Sequence, residues 1–287
     1  MCTAVLSVEP GLPVLLAGVR DELTDRAWDP PGRYWPQYPG LIGGRDLQAG
    51  GTWLAVFDQD RRVGCVLNAV GAMAPAATRQ SRGSLPLTAA AGMPLDREGL
   101  ADFDPFHLLT AEPGRAIMQS WDGRELTERT LPPGLHFVVN SGLASDLAGA
   151  GPGAALAARQ RTEPPAAETS PRAESLPVDP ARAAREPNGR EHELARIGHF
   201  LERFRSAARP DPRAGEPVAD AWGSWFPLVS GDGIGPDDLR ALIVRRDLGG
   251  GRTWGTTSLS LVCLAPDRVR YDFTGRPAGP SSWNRVL

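Results

Sequence analysis

The sequence predicts an α+β protein in which antiparallel strands are pressed between a second sheet and a helix layer. Three observations point there: two apolar runs joined by a tight turn at the start, further short apolar runs between residues 54 and 273, and one clear helical period late in the chain. The first pair, residues 3–8 and 13–19, flanks Glu9-Pro10-Gly11-Leu12 and reads as a β-hairpin. Both runs are almost continuously apolar rather than alternating, which suits strands covered on both faces. A turn centred on residues 10–12 pairs positions whose numbers sum to roughly 21–23, so Cys2 is expected opposite Val19, Arg20 or Asp21.

The remaining elements follow in order. Between the hairpin and Gly50-Gly51 a loop is expected, rich in Trp28, Tyr34, Trp35, Tyr38 and prolines, as either a wall over an apolar pocket or a surface loop pinned by its aromatics. Gly50-Gly51-Thr52-Trp53 leads into a strand at 54–57; its glycines point to a close backbone approach rather than a phosphate loop, since no GxGxxG surrounds them. Strands are also expected at 64–67, 137–139, 258–264 and 269–273, the last two joined by Ala265-Pro266-Asp267-Arg268. Residues 147–190 carry hardly any large apolar side chain and read as a low-complexity insertion, disordered or weakly helical, within a single domain spanning 1–287. From 191 to 208, Leu194, Ile197, Leu201 and Phe204 recur at helical spacing. A second helix is expected from Pro236-Asp237-Asp238, with Leu239, Leu242 and Ile243 on one face and Arg245-Arg246 at its negative end.

Composition excludes several function classes. The 287 residues carry a net charge of -3, and all 31 basic residues are arginines, so arginine content alone does not mark a nucleic-acid site. No apolar run reaches the roughly 20 residues of a membrane span, and the start lacks a basic n-region, so a cytoplasmic protein without stable membrane insertion is expected. Cys2, Cys65 and Cys263 are too few and too far apart for a disulfide scaffold or a CxxC zinc site; Cys65 and Cys263 lie in apolar runs and read as core. His192 and His199 are seven residues apart on the expected helix, not the four of a zincin, and His107 and His136 fall in strands.

Cys2 carries the chemistry. If Met1 is removed, this residue presents a thiol that ordinarily titrates near about 8.5 beside an α-amine that titrates near about 8, so the amine can take the thiol proton. One residue then supplies nucleophile and base, as in N-terminal threonine enzymes. Asp21 could hold the ammonium, and Arg20 could favour the thiolate or orient a carbonyl.

Met1-Cys2, Val19-Arg20-Asp21-Glu22, Gly44-Arg45-Asp46-Leu47, Gly50-Gly51-Thr52-Trp53-Leu54, Leu67-Asn68, Ser81-Arg82-Gly83, Phe106-His107-Leu108-Leu109 and Val139-Asn140-Ser141 together resemble successive motifs of the NRDE family, which includes transport and Golgi organisation protein 2. Val19 stands where the name-giving motif has asparagine. The resemblance covers residues 1 to about 145, and more loosely 221–287 through Trp254-Gly255-Thr256-Thr257. It implies an N-terminal nucleophile hydrolase fold, four layers αββα, with two stacked antiparallel sheets flanked by helices. It also implies Cys2 as nucleophile, Asp21 as the aspartate of the second strand, and Asn68 and Asn140 as oxyanion donors, with Arg20 orienting. The expected activity is hydrolysis of a non-peptide carbon–nitrogen or acyl bond through an acyl-cysteine intermediate, with no cofactor or metal. The partner is then a small apolar or amide-containing ligand and no nucleic acid. The alternative implied by the family is a non-catalytic carrier of haem or an acyl lipid in the same cavity.

Overall fold

The opening hairpin forms as its apolar pattern dictates: β1 (Thr3–Val8) lies against β2 (Val14–Leu23), Thr3 pairs with Val19, and Gly11 takes a left-handed φ of 72° in the turn. The structure is a computed structural model that describes residues 2–149, 187–275, 277 and 283–287. Its first sheet has eight strands. β10 (Gly134–Val139) pairs with the free side of β1, β11 (Gly142–Leu143) follows on the edge, and β13 (Thr253–Leu264) pairs with β2. β14 (Val269–Thr274) and β15 (Asn284–Arg285) continue beyond β13, whose other end also pairs with β12 (Arg245–Asp247).

The second sheet is a seven-strand antiparallel meander: β3 (Trp28–Gly32), β4 (Leu41–Asp46), β5 (Leu54–Phe57), β6 (Arg62–Asn68), β7 (Phe106–Glu112), β8 (Arg115–Trp121) and β9 (Leu126–Thr130). The two sheets stack face to face. Ala4, Leu6, Val14 and Leu16 of the first meet Leu54, Val63, Cys65 and Leu109 of the second in one buried cluster. The opposite face of the first sheet, with Val5, Leu15, Ala17 and Phe137, is covered by α3 (Pro187–Ser206), α4 (Val218–Trp222) and α5 (Trp225–Val229). The outer face of the second sheet meets α1 (Leu85–Ala90), where Leu85 and Ala89 pack on Phe106 and Leu108. α2 (Ala144–Gly149) follows β11. Strands covered on both faces are what the unbroken apolar runs of β1 and β2 required.

Three expectations are corrected. The segment between the hairpin and Gly50 is not one loop, because β3 and β4 form within it. No helix starts at Pro236; backbone bonds from Asp238 to Gly235 and from Ala241 to Asp238 make successive turns, and Arg245-Arg246 enter β12. Helix α3 is real but rotated: Leu194 is 47% exposed, whereas Glu193, 4% exposed, lies on the inward stripe with Ile197, Phe200 and Phe204. The inward turn of charged Glu193 and Arg196 is possible because both meet partners described below. Of the expected insertion 147–190, residues 150–186 lie outside the described residues. Strands from both sides of that segment share the first sheet. Among the described residues no helix is long and apolar enough to cross a membrane.

Candidate functional site

Where β1 begins and β2 ends, the two sheets part around a cleft of about 720 Å³ whose walls include Cys2, Arg20, Asp46, Trp53, Asn68 and Arg82. Cys2 precedes β1 directly. Continuing the hairpin register by one residue sets it opposite Arg20 on β2, and continuing the β1–β10 register sets it opposite Asn140 on the other side. Arg20 is the middle of the three positions that the hairpin arithmetic allowed. The half-buried Cys2 thiol donates to the Asp21 carbonyl at 3.8 Å. Burial pushes the thiol pKa up and the Asp21 carboxylate adds to the rise, while the Arg20 guanidinium opposes it. Cys65 and Cys263 are core, as expected, with burial raising their thiols to about 12 and about 11.

Arg20 projects between the sheets. It donates to the Thr257 hydroxyl at 2.9 Å, approaches Asp46 at 3.4 Å and Glu22 at 3.7 Å, and lies 4.3 Å from the Trp53 ring centre. Asp46 is the hub of this wall. It accepts from Arg26 at 2.6 and 3.1 Å and from the backbone N–H groups of Gln48 and Ala49. Burial alone would raise its pKa, but the Arg26 bond and the backbone donors hold the carboxyl below the usual range.

Asp21 sits next to Arg20 and so faces the other side of the sheet, toward α3. Its Oδ1 accepts from the Thr256 hydroxyl at 2.7 Å, and its Oδ2 lies 3.6 Å from Arg196, both side chains being fully buried. Arg196 also donates to the Thr3 hydroxyl at 2.8 Å and the Ala241 carbonyl at 2.9 Å. One turn earlier on α3, Glu193 accepts from Ser141 at 2.5 Å. The helix thus braces β1, β2 and the end of β10 from behind. Sequence reasoning missed Arg196, Glu193 and Asp46. The signal for the first two was two charges on the inward stripe of an amphipathic helix.

The two asparagines differ. Asn68, the last residue of β6, lines the cleft, and its side-chain amide has no hydrogen bond among the described residues. Asn140 is buried; its Nδ2 donates to the Asn68 carbonyl at 2.6 Å, and its Oδ1 has no hydrogen-bond partner among the described residues. His107 holds the Asn140 backbone: Nε2 donates to the Asn140 carbonyl at 3.2 Å, so Nδ1 accepts from Ser120 at 2.8 Å, and burial lowers the ring to about 4. His136 likewise donates, to the Pro132 carbonyl. His192 contacts the Leu239 carbonyl and His199 the Asp232 carboxylate. No cluster of potential metal ligands exists among the described residues.

The aromatic residues do not wall the cleft as an apolar lid. Trp35 is buried with its Nε1 donating to the Gly50 carbonyl, Tyr34 packs edge-on against it, and Trp28 packs against Trp53 and Phe273. Of the two readings of that segment, the pinned one fits. Gly51 makes the expected close approach, since a Cβ there would stand 2.4 Å from the Gly83 carbonyl carbon across the cleft floor. The cleft lining is rich in charged residues, with arginines and carboxylates in equal number.

Among curated proteins none matches the chain at a significant level. The sequence profile of the family described as Transport and Golgi organisation 2 matches residues 1–155, a little over half of the 287. That span carries Cys2, Arg20, Asp21, Asp46, Asn68 and Asn140, and the chain belongs to the transport and Golgi organisation 2 family.

Proposed function

We propose that the chain is an N-terminal cysteine hydrolase of the four-layer αββα type, cleaving a non-peptide amide or related acyl bond. The observation that carries this reading is the position of Cys2, at the head of a central strand, on the wall of a cleft and across from Arg20. With Met1 ahead of it the thiol is held in its protonated form by burial. Removal of Met1 places a free amine one bond from the Cys2 Cα, and that amine takes the thiol proton.

The sulfur then attacks the substrate carbonyl carbon, and the C=O electron pair moves onto oxygen. Asn68 is the donor best placed for that oxyanion, because its amide faces the cleft unengaged. Asn140 holds the Asn68 backbone, and the β1–β10 register sets it across from Cys2. Arg20, steadied by Asp46 and Thr257, orients the substrate. Collapse of the tetrahedral species breaks the C–N bond, and the leaving amine takes the proton from the Cys2 ammonium. Water then attacks the thioester, releasing the acid and restoring the thiol. Asp21 keeps its carboxylate toward Arg196 and Thr256, so its role is to fix β2 and the field beneath Cys2.

The many charged residues of the lining favour a polar amide over haem or an acyl lipid as the occupant. The test is peptide mapping after incubation with a panel of N-acyl p-nitroanilides, followed in parallel by release of nitroaniline. An acyl adduct on Cys2 together with turnover that disappears in Cys2→Ala is expected. Turnover that survives Cys2→Ala would overturn the reading.

A further inference from the structure

The charges around the cleft are almost all spoken for. Arg20 and Arg26 meet Asp46 and Glu22, Arg79 meets Asp104 at 3.1 Å, and Asp21 meets Arg196. Arg252 is different. This half-buried residue lines the cleft, yet its guanidinium makes no ion pair or hydrogen bond among the described residues. Its backbone is held in place. Arg252 closes the β12–β13 turn, where Gly249, Gly250 and Gly251 all take left-handed φ angles of 78°, 62° and 78°. Its backbone N–H donates to Gly249, its carbonyl accepts from Leu248, and Asp247 caps Gly249 at 2.8 Å. The glycines allow the tight left-handed turn, and its hydrogen bonds fix the backbone from which the Arg252 side chain projects.

On the neighbouring turn, Asp25 is exposed, lines the same cleft and is likewise without an ion pair or hydrogen bond among the described residues. The bond from Thr24 N–H to the Thr253 carbonyl at 2.9 Å brings the two turns side by side.

Building on the hydrolase reading, we infer that Arg252 recognises a carboxylate on the ligand, so that the substrate class is an amide bearing a single negative charge, such as an N-acyl amino acid. An unpaired guanidinium offers a planar fork matched to a carboxylate. The remaining walls carry at least as many carboxylates as arginines, which disfavours a dianionic phosphate. Asp25 at the same mouth penalises a second negative charge and would accept a ligand ammonium.

The probe pair is iodoacetate and iodoacetamide, which alkylate the same thiol and differ in one negative charge. Rates of Cys2 modification are measured by peptide mapping on the full chain. In Arg252→Ala the iodoacetate rate is expected to fall about five-fold while the iodoacetamide rate holds, and the difference shrinks in high salt. Asp25→Asn should raise the iodoacetate rate. Equal changes for both reagents, or none, overturn the inference while leaving the nucleophile standing.

If neither reagent modifies Cys2, it is the nucleophile that fails, and saturation-transfer NMR then decides the carboxylate site. Preferential binding of N-acetylglycinate over N-acetylglycinamide that is lost in Arg252→Ala supports it. Equal binding of the two overturns it.

Discussion

Arg196 and Asp21 form a fully buried pair beneath the candidate nucleophile, with Thr3, Thr256 and the Ala241 carbonyl as further polar partners. Removing one partner leaves a buried charge without compensation, which costs about 3–5 kcal/mol, whereas the intact pair adds little net stability. Arg196→Leu is therefore expected to lower the urea midpoint strongly. Asp21→Asn in the same background should restore part of that loss. A double variant no more stable than Arg196→Leu would show that the two side chains are not coupled. Cys2 and Arg20 lie on the opposite side of the same strand pair, so chemistry and support are divided between the two faces by the two-residue period of a strand.

At the scale of elements, the cleft depends on backbone segments that pass without side chains between them. The turn at Gly51 meets the turn at Gly83, Thr52 N–H donates to the Gly83 carbonyl at 2.9 Å, and Thr52 and Gly83 both line the cleft. Gly51→Ala would drive a methyl into the Gly83 backbone. The strain must be relieved by separating the two turns, at about 1–3 kcal/mol. Thermal unfolding should show that loss, and Cys2 modification rates should change with it; an unchanged melting temperature would contradict the contact.

Local patterns in the sequence carried most of these elements. The hairpin and its register, β5, β6, β13 and β14 were legible because unbroken apolar runs bounded by turn residues leave little choice. β3 and β4 were not, since prolines and scattered aromatics hide strands whose apolar pattern is broken. The run after Pro236 has helical spacing but is spent in turns that bring Arg245-Arg246 to the edge strand β12. The rotation of α3 was invisible for a different reason. Hydrophobicity alone puts Leu194 inside and Glu193 outside, and only the partners on β1, β2 and beyond β10 reverse that order. Cys2, Arg20 and Asn68 were found by motif and register; Asp46, Arg196 and Arg252 needed the fold.

For the whole molecule, the site draws on both parts of the chain. Residues 1–155 supply Cys2, Arg20, Asp46 and Asn68, while Arg196, Thr256, Thr257 and Arg252 come from beyond that span and enter through α3, the β12–β13 turn and β13. The central strand pair β1–β2 is flanked by β10 on one side and β13 on the other, so the candidate nucleophile lies in the interior of the first sheet rather than on an edge. The proposed chemistry requires Cys2 to become the first residue and the reactive one. Intact mass of the purified chain, followed by peptide mapping after brief iodoacetamide treatment at neutral pH, tests this most directly. Loss of Met1 with a single modification, at Cys2 and not at Cys65 or Cys263, is the predicted result. Retention of Met1, with Cys2 no more reactive than the two core thiols, would contradict it.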